Sequence, residues 1–86
     1  MLPFRPRQDY SRKLTRRITL ADGTRLVTLK DAADLLTGER FVGVTKWGAL
    51  EHAIELMLEA GERGGRPRLK AATNQIEIVL RARHML

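Results

Sequence analysis

Ile18-Thr19-Leu20-Ala21-Asp22-Gly23-Thr24-Arg25-Leu26-Val27 consists of two alternating apolar runs joined by Asp-Gly. Alternation is the period of a strand with one buried face, and Asp-Gly accepts the positive φ of a type I′ turn. The stretch therefore predicts a two-residue β-hairpin within about residues 16–29. With Asp22 and Gly23 as the turn, Ala21 faces Thr24, Leu20 faces Arg25, Thr19 faces Leu26 and Ile18 faces Val27. That register puts Ile18, Leu20, Val27 and Leu29 on one face and Arg17, Thr19, Thr24 and Thr28 on the other. Two strands are marginal alone in water, so helices must cover the apolar face.

Immediately after the hairpin, Thr28-Leu29-Lys30-Asp31 has the form of a capping box and predicts a short helix over 29–37, with Gly38 as a left-handed cap. Residues 39–45 read as an ordered connection in which Phe41, Val42 and Val44 suit a third strand over 40–45, weakened by Gly43. Thr45 can cap a second helix, about 46–60. Its apolar face carries Trp47, Leu50, Ile54, Met57 and Leu58, and Glu51, His52, Glu55 and Glu59 lie off it. Residues 61–67 read as a loop. Pro67 suits the first turn of a last helix, about 67–84, which presents Leu69, Ala72, Ile76, Val79 and Leu80. Two amphipathic helices joined by a short glycine-rich link form an antiparallel helical hairpin, so the expected fold class is α+β.

Eighty-six residues suffice for one domain, expected over 14–86. A chain this short buries only about 60% of its unfolded surface. It contains no Cys, which removes a disulfide staple, a thiolate-held zinc and a Cys nucleophile. Residues 1–13 carry two prolines and no periodicity, and they read as a basic, flexible arm. Neither a signal-like nor a membrane-length apolar run occurs, so a cytoplasmic protein without membrane contact is expected.

His52 stands beside Glu51 and Glu55, yet the second His of a zinc helix is missing, and His84 is far away in sequence. Gly61-Glu62-Arg63-Gly64-Gly65 lacks the Lys-Ser/Thr of a phosphate loop. The sequence thus points to no catalytic residue, no cofactor, no metal and no small-molecule substrate, and a non-enzyme is expected.

Charge is segregated. The net charge is +6; residues 1–17 hold six Arg or Lys against Asp9, and residues 63–86 hold six against Glu77, whereas Glu51, Glu55, Glu59 and Glu62 make the second helix acidic. Glu59 and Glu62 at the end of one helix and Arg63, Arg66 and Arg68 near the start of the next are each unfavourable with their own helix dipoles. Pairing across the turn would relieve both.

Two functional readings follow. In the first, the protein is a small interaction module that self-associates as a homodimer, because strand edges attract other chains, with Phe41, Trp47 and Met57 at the interface. In the second, Arg5, Arg7, Arg12, Lys13, Arg16 and Arg17 form an arm that binds nucleic acid weakly and without sequence preference, through counterion release.

Residues 27–36, Val-Thr-Leu-Lys-Asp-Ala-Ala-Asp-Leu-Leu, resemble the first helix of the excisionase-type winged helix-turn-helix. That family follows it with a turn of about three or four residues and a recognition helix. Here about eight residues intervene, and the next helix exposes glutamates. A wider resemblance covers most of the body. The Ile18–Arg25 hairpin pattern, Thr28-Leu29-Lys30-Asp31-Ala32-Ala33, a Trp opening the next helix and an Ala-rich final helix resemble short alphaproteobacterial proteins grouped as a domain of unknown function. The resemblance implies the same small fold and assigns no activity to any residue.

Overall fold

In a computed structural model, which describes residues 10–41 and 47–86, the order is two strands, a helix of about two turns, a 3-10 turn and a helical hairpin. Strand β1 (Lys13–Thr19) pairs antiparallel with β2 (Arg25–Thr28). Helix α1 (Leu29–Leu36) follows β2 without a break. A 3-10 turn at Glu39–Phe41 stands where the third strand was expected to begin. Residues 42–46, including the expected cap Thr45, lie outside the described residues. Helices α2 (Gly48–Arg63) and α3 (Arg66–Ala82) complete an α+β fold.

The hairpin register differs from the expected one by one residue. Leu20 N–H donates to the Thr24 carbonyl at 2.7 Å and Gly23 N–H donates to the Leu20 carbonyl at 2.9 Å. The loop is therefore the three residues Ala21-Asp22-Gly23, with Gly23 at φ 92° taking the left-handed position. Asp22 Oδ1 accepts the Thr24 amide at 2.9 Å, which holds the wider loop. Thr19 consequently pairs with Arg25, and Ile18 with Leu26. Because side chains alternate, this single step turns Leu26 into the core, at 2% exposure, and Val27 out to 37%.

β1 is also irregular. Lys13 pairs with Thr28 and Ile18 with Leu26, so five steps on β1 oppose two on β2. Leu14 and Ile18 are buried while Arg16 between them is exposed. The Thr15 amide donates not to β2 but to the Thr73 hydroxyl on α3 at 3.2 Å, and that hydroxyl donates in turn to the Leu69 carbonyl at 2.7 Å.

Residues 10–13, assigned by composition to a flexible arm, belong to the folded body. The carbonyls of Arg12 and Tyr10 accept the amides of Leu29 and Lys30 at 2.9 and 2.8 Å, satisfying two donors that the start of α1 would otherwise leave orphaned. The remainder of the expected arm, residues 1–9, lies outside the described residues.

The capping box forms as expected: the Thr28 hydroxyl accepts the Asp31 amide, and Asp31 Oδ2 accepts the amides of Thr28 at 3.1 Å and Val27 at 2.9 Å. Those backbone donors favour the charged carboxylate and hold the Asp31 pKa below its ordinary value of 3.8. A carboxylate whose pKa is lower folded than unfolded stabilises the fold above its unfolded pKa, and the gain disappears as pH falls through the folded one. Thermal melts are expected to lose stability on acidification below about pH 4, with a flatter acid limb in Asp31→Ala; an unchanged limb would place the acid sensitivity elsewhere.

Gly38 has no left-handed conformation; among the described residues the positive-φ glycines are Gly23, Gly64 and Gly65. Thr37 caps α1, and a Cβ on Gly38 would lie 2.7 Å from the Asp34 carbonyl oxygen, so glycine is required by close approach. The expected loop at 61–67 shrinks to Gly64-Gly65, because Gly61 is buried and α2 continues through Arg63. Pro67 does lie in the first turn of α3, as expected. Leu50, Ala53, Met57 and Ala60 of α2 and Ala72, Ile76, Val79 and Leu80 of α3 join Ile18, Leu20, Leu26 and Leu29 in one core, with the alanines allowing close helix approach.

α3 ends at Ala82, and the chain end then returns to the hairpin. Ala21 N–H donates to the Met85 carbonyl at 2.7 Å, Arg83 donates to the Arg40 carbonyl at 3.2 Å, and its guanidinium lies 5.4 Å from the Phe41 ring centroid. Arg40 pairs with Asp22 at 2.5 Å and drives that carboxyl well below the usual carboxylate range.

Candidate nucleic-acid interface

The six cations expected to act together are treated differently by the fold. Arg5 and Arg7 lie outside the described residues. Arg16 is held by α3: its guanidinium donates to Asn74 Oδ1 at 2.9 Å and pairs with Glu77, whose hydrogen bond and charge raise the Arg16 pKa. That pairing offsets the Arg16 charge locally, while the side chain stays 44% exposed. Arg12 is directed to the α2–α3 link, where its Nε donates to the Gly61 carbonyl at 3.4 Å. Its guanidinium lies so close to Gly64 that a Cβ there would meet Nη1 at 2.6 Å. A cation near the last carbonyls of α2 is favourably placed against the helix dipole. Lys13 and Arg17 are exposed and make no ion pair with another described residue.

Arg25 belongs with them although the expected register put it opposite Leu20. In the three-residue loop it faces Thr19, so Arg17, Thr19, Arg25 and Val27 are exposed together on the hairpin face turned away from the core. The signal that could have revealed this is Leu26. It is as apolar as Val27, and only loop length decides which of the two turns inward.

At the α2–α3 link, one expected charge pair is present, Arg68 Nε to Glu59 Oε1 at 3.9 Å. Arg63 and Arg66 are exposed and make no ion pair with another described residue. Arg12 brings the start of β1, and Lys13 with it, to the link that carries Arg63 and Arg66; Arg17 and Arg25 stand farther along the hairpin, toward the end that the Ala21–Met85 hydrogen bond ties to the chain end after α3.

The interface expected for self-association is largely internal. Phe41, at 5% exposure, and Met57, at 2%, are core residues, which corrects their assignment; Trp47 is half-buried and packed against the core. The β2 edge is also partly closed, since the Val27 amide is taken by Asp31. His52 Nδ1 lies 3.9 Å from Glu55 Oε1 on an exposed surface, and among the described residues no group of three or more His, Asp or Glu could hold a metal. No described helix is long and apolar enough to cross a membrane.

No protein-family model, curated protein or solved structure matches the chain. The likenesses to the excisionase-type helix and to the alphaproteobacterial proteins therefore rest on sequence pattern alone.

Proposed function

We propose that this protein is a small non-catalytic module that binds nucleic acid through phosphates, without base specificity. The observation that carries the reading is the Arg12 contact with Gly61 and Gly64, which brings the basic strand and the basic helix link together. Five exposed cations spread from that link along the hairpin, Lys13, Arg17, Arg25, Arg63 and Arg66, make no ion pair with another described residue. Each phosphate they neutralise releases condensed counterions, so affinity should fall steeply with salt.

Fluorescence anisotropy with a mixed-sequence DNA duplex tests it. Five contacts give a slope of log affinity against log salt of roughly −4 to −5. The double variant Arg17→Ala, Arg25→Ala is expected to bind more weakly, with a slope shallower by about 2. An absence of binding at low salt, or a slope that the variant leaves unchanged, rejects the reading.

Self-association has lost Phe41 and Met57 to the core and retains Trp47, joined by Ile78, which is 50% exposed on α3. Val27, Leu58 and Leu86 are exposed as well, and apolar residues scattered singly over a surface are common on monomers. A concentration-dependent dimer in sedimentation velocity would bring this reading back to the front.

A further inference from the structure

We infer that the surface is built for a duplex rather than a single strand, an inference that rests on the nucleic-acid reading above. Single-strand binders hold bases by stacking them on aromatic side chains. Here the described aromatics serve the core: Phe41 is buried beneath Arg83, and Tyr10 and Trp47 pack against the apolar cluster. The hairpin face offers Arg17, Thr19, Arg25 and Val27, and the helix link offers Arg63 and Arg66. Binding by charge follows charge density, and a duplex carries one phosphate per about 1.7 Å of axis, twice that of one strand.

Rigidity favours the same partner. The described cations stand on a strand, at the end of α2 and at the start of α3, and Arg12 ties the strand to the link. An array with fixed spacing suits a ligand whose phosphates are also fixed, and a duplex is stiff over about 150 base pairs. A single strand would have to be ordered to match it, at an entropic cost that no stacking on the described aromatics, which pack into or against the core, offsets.

The test uses the full chain at low salt and compares one labelled duplex, each of its strands alone and a second duplex of unrelated sequence. Both duplexes are expected to bind equally within about twofold and at least about tenfold tighter than either strand. Arg63→Ala with Arg66→Ala should weaken both duplexes by the same factor, while thermal melts confirm that this exposed pair leaves the fold intact. Single strands binding as tightly as the duplex would overturn the inference and leave the nucleic-acid reading standing. Unchanged duplex affinity in the Arg63, Arg66 variant would also overturn it, by removing the helical half of the surface. Loss of binding to every probe would remove both.

Discussion

Leu26→Ala is expected to destabilise the protein by about 2–5 kcal/mol, whereas Val27→Ala should change stability by no more than about 0.5 kcal/mol. Leu26 is 2% exposed and belongs to the core cluster with Ile18, Leu20 and Leu29; Val27 is 37% exposed on the outer face. Truncating the first loses transfer free energy and leaves a cavity that its neighbours fill only partly. Truncating the second removes a side chain that already meets water. In the two-residue turn register the two effects would be exchanged, so a pair of urea melts followed by circular dichroism decides between the loops. A larger loss in Val27→Ala would reject the Thr19–Arg25 pairing and with it the position of Arg25 on the basic face.

Thr73→Val carries the next largest expected effect, a loss of about 1–3 kcal/mol despite its nearly unchanged shape. The Thr73 side chain is fully buried, and its hydroxyl accepts the Thr15 amide where irregular pairing takes β1 away from β2. Valine leaves that amide without its acceptor, and an unmet buried donor loses its full hydration. Thr73→Ser keeps the hydroxyl and should lose less. Chemical denaturation of the two variants checks the contrast; a valine variant as stable as the parent would show that the Thr15 amide has another acceptor.

Fold class was legible because local signals agreed. The Thr28–Asp31 box started α1 where it should, Pro67 marked the first turn of α3, and the 3.6-residue spacing of Leu50, Met57, Ala72, Ile76 and Leu80 identified the buried helix faces. These features act within a turn or two of chain and need no partner to be read. Boundaries were less legible. Gly61 looked like a helix stop, but its lack of a side chain suits a buried position, and α2 ran on to a link of only Gly64-Gly65.

The candidate site was the least legible part, because a charge becomes available only when nothing in the fold neutralises it. Arg16 and Arg17 are neighbours of the same type, yet Arg16 pairs with Glu77 on α3, 61 positions away, and Arg17 faces solvent. Arg12 looked like part of an arm and instead touches Gly61 and Gly64; Phe41 and Met57 looked like contact residues and are core. By itself the sequence determined the hairpin, the Thr28 capping box, the buried helix faces in outline and the segregation of charge, all set by nearest neighbours and periodicity. Hairpin register, the fate of each arginine and the meeting of strand and helix link were decided only by tertiary structure. Each depends on contacts between residues distant along the chain, whose energies no local pattern contains.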